Sequence, residues 1–335
     1  MKARHRPSWA WVLLLVVGVV LGTAHCASPP PKQEAGTGEQ AEMTPTQAGA
    51  AAVYSVTRSS RILRVPDQEA LYTRSGVTVP ALARANVLPK HYADKCHVTP
   101  KDIRVRGAKT VCDDYGNPRG RVKVSMIGDS KMGQWFTPMR TIATREGWRM
   151  SVRPKSSCPL STIGVSADCA KYNKALVRHL IHVEKPDVVF VSSVHSSTKI
   201  STGLTSITRM LTDRGIEVVF FKDTPVPARG PSVLTCLRAT KDYLSCRYPL
   251  NEGSGARSIR KAHSAVPGTQ LISLDRYVCP THKACPAVVN RTPVFRQGSH
   301  ISDAYATSMT DVIHARLYQE KIARVRPPAS AAAGR

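Results

Sequence analysis

The chain has 335 residues, 42% of them apolar, which suffices for one large folded domain with tails and excludes wholesale disorder. Its 48 Lys and Arg against 23 Asp and Glu leave a net charge of +25, a balance that attracts polyanions: nucleic acid, anionic lipid or anionic wall polymers. The basic residues are spread along the chain, with no zinc-finger spacing and no RNA-binding aromatic motif, so no specific nucleic-acid partner is expected and an anionic envelope partner remains.

The chain begins with Lys2, Arg4 and Arg6, followed by sixteen uncharged, mostly apolar residues from Trp9 to Ala24. This pattern is an export signal. Sixteen residues are short for a membrane span, which needs about 20. Three fates are compatible: cleavage after Ala24, retention as an anchor, or lipidation at Cys26. Each places the body of the protein outside the cytoplasm, secreted or held to the membrane only by residues 1–27. Residues 28–50, rich in Pro, Gly, Ala, Thr and Gln, read as a flexible linker. Residues 51–121 form a lead-in, with a short helix expected near 79–87 and a first disulfide loop. The main α/β domain spans 122–322, and residues 323–335 read as a disordered tail.

Beyond Cys26, eight cysteines remain: Cys96, Cys112, Cys158, Cys169, Cys236, Cys246, Cys279 and Cys285. None has CxxC spacing, which argues against zinc and thioredoxin-like chemistry. In an exported chain, eight thiols suggest four disulfides. They allow about 105 connectivities, but they fall as four close neighbours, 96–112, 158–169, 236–246 and 279–285, and this pairing is expected. Each loop would contribute about 2–3 kcal/mol by the loop-entropy argument.

From Val122 onward the pattern alternates. Strands are predicted over 122–127, 148–153, 187–193, 216–222 and 269–274, and helices over 132–146, 169–184, 199–214, 254–265 and 302–319. The runs DVVFVSS and IEVVFFK are nearly continuous β-branched and aromatic stretches, as strands buried on both faces require. The alternation predicts a parallel sheet with helices on both sides. There is no internal repeat, no GxGxxG after a strand and no GxxxxGK[ST], so no nucleotide cofactor is indicated, and no other cofactor or metal is expected.

The first strand ends in the segment VSMIGDSKMGQW, which places Ser130 at the carboxyl end of a strand, where open α/β sheets hold their ligands. The following helix start offers backbone N–H groups to an oxyanion. On its own the Gly-Asp-Ser tripeptide is common and reads as an ordinary turn. A nucleophilic serine needs a base. The candidate is His300, in FRQGSHISDAYATSM just before the last helix, although by position alone it reads as an exposed loop histidine. Asp129 is expected to tie down the turn. Lys131 reads as a solvated charge or, less simply, as a holder of an anionic substrate. Asp223, at the end of the fourth strand, reads as a turn cap or a lining residue. His97, His179, His182 and His263 read as surface histidines.

The chain also resembles a known family. VSMIGDSKMGQW resembles the first block of the SGNH (GDSL-like) hydrolases. Over about residues 79–318 the chain is similar to the extracytoplasmic SGNH domain of bacterial membrane acyltransferases that O-acylate polysaccharides. The matching segments are VPALARANVLPKHYADKCHV, GDSKMGQWF, SSCPL, KDTPVPARGPSVLTCL, CPTHKACPAVVNRTPVFR and SHISDAYATSM. The resemblance implies a three-layer α/β/α sandwich with a parallel five-stranded, flavodoxin-like sheet, Ser130 as nucleophile and His300 as base, and it agrees with the cysteine pairing. Three departures stand out. Lys131 replaces a His after the serine. Gln297 stands where the family has the Asp that orients the catalytic His, and its amide oxygen is the expected substitute acceptor, with Asp303 and Asp275 as further candidates. VSSVHSSTK (191–199) lacks the oxyanion Asn, leaving His195 or a backbone N–H, with that of Ser130, as candidate donors. A sequon at Asn290-Arg291-Thr292 is discounted in a chain of bacterial style.

The function expected from these features is an exported serine esterase or O-acyltransferase acting on acylated carbohydrate or cell-wall glycan. If it transfers acyl groups, a separate membrane acyltransferase would be its donor. The alternative is a weakened or inactive SGNH-fold protein that binds anionic or acylated envelope glycans.

Overall fold

The computed structural model describes residues 48–65, 82, 85–105, 111–227, 232–240, 242–281 and 284–325. The N-terminal segment, almost all of the linker, most of the helix expected near 79–87 and the end of the tail lie outside the described residues. Among the described residues, no helix is long and apolar enough to cross a membrane.

The central sheet is built from β3 (Tyr115–Gly116), β4 (Lys123–Gly128), β5 (Arg149–Val152), β6 (Val188–Ser192), β7 (Glu217–Phe221) and β9 (Gln270–Ile272). Its order is β3-β5-β4-β6-β7-β9, and β5, β4, β6, β7 and β9 are parallel. These are the five strands the sequence predicts, in the 2-1-3-4-5 order of flavodoxin-like sheets. The sheet nevertheless has six strands rather than five. β3 adds an antiparallel edge through Tyr115 opposite Met150, and two residues carry no alternation for a sequence reading to detect.

The helices follow the predicted alternation with different ends. The helix expected over 132–146 is two: α2 (Ser130–Gly133) and α3 (Phe136–Glu146), α1 being the short Lys90–Ala93 turn. α4 (Ala167–His179) runs into a π-turn over Leu180–Glu184 that Lys185 ends at φ 48°. α5 is Thr198–Thr212, α6 Val233–Ala239, α7 Ala256–Ala265 and α8 Asp275–Val278. The last expected helix is broken at Met309 into α9 (Asp303–Ser308) and α10 (Thr310–Gln319).

Both faces of the sheet are buried, and the side chains alternate between two cores. Val124, Met126, Val188, Phe190, Val219 and Phe221 face one core with α3, α9 and α10. Ile127, Val189, Val191, Val218 and Phe220 face the other with α4, α5 and α7. This gives a three-layer α/β/α sandwich, and it explains why DVVFVSS and IEVVFFK carry no polar alternation. The lead-in packs into the first core: β1 (Tyr54–Val56) pairs with β2 (Ile62–Arg64), and Tyr54 meets Tyr277 edge-on at 5.0 Å. At the end of the expected linker, Gly49 and Ala50 are buried, and the Ala50 N–H donates to Ser308 Oγ. The disulfides close as 96–112, 158–169, 236–246 and 279–285, with Cα–Cα distances of 5.4, 5.4, 5.7 and 4.7 Å.

Candidate active site

The site forms at the carboxyl edge of β4. Gly128 ends the strand at φ 100°, and a Cβ there would lie 2.4 Å from the Ser192 carbonyl oxygen, so only glycine lets β4 and β6 stay this close. Asp129 is fully buried and caps α2, and its Oδ1 accepts from the Lys131 N–H at 2.9 Å. Its Oδ2 accepts from the Val194 N–H at 2.7 Å, so Asp129 ties the turn to the loop after β6. Burial pushes its carboxyl up to about 7, against the pull of those two N–H bonds. Ser130 is thereby fixed as the first residue of α2, where backbone N–H groups lack helical acceptors.

His300 comes from the other direction, on a tight loop closed by a β-bridge between Phe295 and Ile301. The Arg296 N–H donates to the His300 carbonyl at 2.9 Å, and Gly298 turns the loop at φ 62°. The ring returns to β4, and His300 Nε2 lies 2.8 Å from Ser130 Oγ. On its other side, Nδ1 lies 3.3 Å from the main-chain carbonyl oxygen of Gln297. A carbonyl only accepts, so Nδ1 carries the proton and Nε2 is left to accept from the serine hydroxyl. That is the tautomer a general base requires.

Gln297 therefore meets His300 through its carbonyl. Its side chain is exposed, a correction to the expected amide contact, because the loop turns that side chain outward. Neither candidate carboxylate substitutes. Asp303 accepts from Thr137 Oγ1 at 2.6 Å, and Asp275 pairs with Lys222. Without an acid beside it, His300 is held well below the usual histidine range, at about 3. Burial is the main cause, followed by Arg296 and Lys131, and the Gln297 carbonyl opposes them.

The histidine loop is instead clamped from α2 and the residue after it. Lys131 is not a solvated charge: it is completely buried, because its ammonium finds three partners at once. Its Nζ pairs with Asp223 Oδ1 at 2.9 Å and donates to Thr224 Oγ1 at 3.2 Å and to the Ser299 carbonyl at 2.7 Å. Asp223 is likewise fully buried rather than lining an open surface, and its Oδ2 accepts from the Gly255 N–H at 3.0 Å. Gln134 Oε1 accepts from the Ile301 N–H at 3.0 Å. The residues on either side of His300 are thus bonded to side chains that follow Ser130 in the chain.

His195 is exposed and, among the described residues, makes no hydrogen bond to Ser130. Ser193 Oγ donates to the His195 carbonyl and turns that loop outward. The Val194 N–H is consumed by Asp129, which removes one backbone candidate for an oxyanion donor. His97 is buried, not a surface residue: its Nε2 bonds Ser156 Oγ at 2.9 Å, and Tyr92 stacks on its ring at 4.1 Å. His179 and His263 are half-buried and His182 is exposed. Asn290 and Arg291 form the tight turn between β11 (Val288–Val289) and β12 (Thr292–Pro293), both at positive φ, and β10 (Ala284–Cys285), just before it, pairs with the distant β8 (Tyr248–Pro249). Sequence reasoning missed Gln134, His91 and Arg296. Each of the three was legible only inside a matching segment, with no role assigned to it. Among the described residues, no cluster of three or more His, Cys, Asp or Glu is arranged to hold a metal ion.

A family model described as "SGNH domain (fused to AT3 domains)" matches residues 95–315. Among solved structures, the chain is similar to the periplasmic domain of a lipopolysaccharide acetyltransferase from Salmonella ser. Paratyphi A, with 16% identity and a TM-score of 0.47, covering 70% of this chain and 98% of that one. A putative acylhydrolase from Bacteroides fragilis matches with 12% identity and a TM-score of 0.35, over 61% of this chain and 90% of that one. A GDSL-like lipase from Bacteroides thetaiotaomicron matches with 12% identity and a TM-score of 0.33, over 59% and 88%. No curated protein matches the chain. With the family match extending from the first disulfide loop through the Ser130 turn and the His300 loop into α10, the chain belongs to the SGNH family.

Proposed function

We propose that the protein is an exported serine esterase or O-acyltransferase acting on acylated cell-envelope carbohydrate through a Ser130–His300 dyad. The observation that carries this reading is the 2.8 Å contact between Ser130 Oγ and the ring nitrogen of His300 that is free to accept a proton. Ser130 Oγ attacks the ester carbonyl carbon as its proton moves to His300 Nε2. The oxyanion that forms meets the Ser130 N–H at the start of α2. When the intermediate collapses, the C–O bond to the sugar breaks and His300 returns the proton to the departing sugar oxygen. Water or a second sugar hydroxyl then takes the acyl group from Ser130, and His300 acts again as base and acid. Transfer, unlike hydrolysis, needs an acyl donor, which a separate membrane acyltransferase would supply. Four disulfides support residence in an oxidising compartment outside the cytoplasm.

A second reading keeps the scaffold for binding anionic or acylated glycans with little turnover. Among the described residues no carboxylate pairs with His300, which favours this reading, because an imidazolium there would lack a charge partner. Hydrolysis of a small activated acetyl ester by the secreted protein, beside Ser130→Ala and Gln297→Asp, separates the two. Turnover that disappears in Ser130→Ala supports the enzyme. Equal background rates in all three proteins support the binder.

A further inference from the structure

Native proteins leave few buried polar atoms unpartnered, so a concentration of them marks a place where something else binds. Among the described residues, besides Asp223 Oδ1, which pairs with Lys131, thirteen buried side-chain nitrogens and oxygens lack a hydrogen-bond partner, and six of them lie together beside the dyad. They are both ring nitrogens of His91, Nδ1 of His97, Nε2 of Gln134, and Nε and Nη2 of Arg296. His91 and His97 lie 5.5 Å apart, and Tyr92 stacks on His97. The Arg296 guanidinium lies 6.0 Å from the centroid of the same Tyr92 ring. A Cβ on Gly133, one turn after Ser130, would meet His91 Nε2 at 3.0 Å and His97 Nδ1 at 3.5 Å, so both orphan nitrogens converge on the nucleophile helix. Around this cluster, Ser130, His300, Tyr92 and Ser156 are each partly exposed.

Arg296 decides the chemistry. It is 4% exposed and, among the described residues, forms no ion pair. The Tyr92 side chain hydrogen-bonds it, leaving Nε and Nη2 open, and Asp303, the carboxylate that acts on it, accepts at Oδ1 from Thr137 Oγ1. A buried cation with no carboxylate bonded to it is disfavoured relative to water, and an anion at its open edge would relieve that. The two orphan nitrogens are not arbitrary: Nε and Nη2 form one edge of the guanidinium, the two-pronged fork that takes both oxygens of a carboxylate. Arg104 shows this geometry elsewhere in the chain, with Nε and Nη2 each 3.0 Å from an oxygen of Asp102. The histidines beside Arg296 are held neutral by burial and by the guanidinium, so each offers a donor N–H without adding charge.

We propose that the open Nε–Nη2 edge of Arg296, with His91, His97 and Gln134 around it, is a carboxylate-binding subsite that selects acidic sugars next to the Ser130–His300 dyad. The substrate class is then an acylated glycan with a carboxylate, carried either on a uronic acid ring or on a lactyl-substituted amino sugar. The subsite as a selector rests on the esterase or transferase reading, but its ability to bind does not.

The test separates the two. The secreted Ser130→Ala protein is titrated by calorimetry with glucuronate, N-acetylmuramate, glucose and N-acetylglucosamine. Either acidic sugar is expected to bind roughly ten- to hundredfold more tightly than its neutral counterpart, and which of the two binds identifies the source of the carboxylate. Arg296→Met is expected to abolish that preference while melting, without ligand, no lower than the parent. Equal binding of acidic and neutral sugars overturns the proposal, as does a preference that survives in Arg296→Met. If Arg296→Met does not fold, the comparison of sugars on the parent protein decides alone. Failure of the active protein to cleave any ester would count against the dyad and leave this binding result standing.

Discussion

His300 combines the right tautomer with an unusually weak affinity for protons. Its Nδ1 proton rests on a carbonyl, while burial, Arg296 and Lys131 hold its pKa at about 3. The ring is therefore the free base at any ordinary pH, but in the proposed mechanism it would gain little by taking the serine proton. In a comparable triad, loss of the acid costs about 10⁴ in rate. Gln297→Asp places a carboxylate in the same loop, but on a side chain turned outward, so it is expected to raise kcat on a small acetyl ester only about two- to threefold, far short of a triad acid. An unchanged or lower kcat would show that residue 297 does not govern the ring. The pH profile follows from the same shift. The base form is lost only as pH falls through the folded pKa, so kcat/KM should stay level from neutrality to about pH 4 and decline near 3. An acid limb near the ordinary histidine value of 6.5 would contradict this environment.

Among the elements, α2 and its continuation position the His300 loop. Lys131 joins α2 to the end of β7 through Asp223 and Thr224 and to the histidine loop through the Ser299 carbonyl, while Gln134 holds the Ile301 N–H. Removing one partner of a buried ion pair strands the other, at a cost of about 3–5 kcal/mol. Lys131→Met should therefore lower the melting temperature markedly, and the double variant Lys131→Met/Asp223→Leu should recover most of the loss. A double variant no more stable than Lys131→Met would contradict the pairing. These contacts were the illegible part of the sequence. β6 and β7 announce themselves through nearly uninterrupted β-branched and aromatic runs, the other parallel strands through their alternation with helices, and the cysteines through their spacing. The position of Lys131 depends instead on Asp223 and Ser299, far away in sequence, so local polarity reads it as solvated. The burial of His97 and Arg296 was hidden for the same reason. β3 was too short to show a period.

At the scale of the whole molecule, buried neutral histidines set the response to acid. His91, His97 and His300 have folded pKa values of about 2, 4 and 3 against 6.5 in the unfolded chain, and Glu184, paired with Arg153, is lowered from 4.5 to about 2. Below pH 6.5 the unfolded state binds more protons, so stability present above that value is lost progressively as pH falls. Asp129, raised from 3.8 to about 7, acts in the opposite sense over that interval, as do the raised carboxyls of Glu217 and Asp303, while His314, also lowered, adds to the three histidines. Urea unfolding at successive pH values should show a steady decline in stability from about pH 6.5 toward 4, and a level or rising trend would contradict the burial of these rings. The central claim is that Ser130 accepts an acyl group with His300 as its base. Intact-protein mass spectrometry after brief exposure to an activated acetyl ester, followed by peptide mapping, tests it most directly. One acetyl group on the peptide containing Ser130, absent from Ser130→Ala and strongly reduced in His300→Ala, is the predicted result. Acetylation confined to lysines and unchanged in both variants, with no ester turnover, would contradict it.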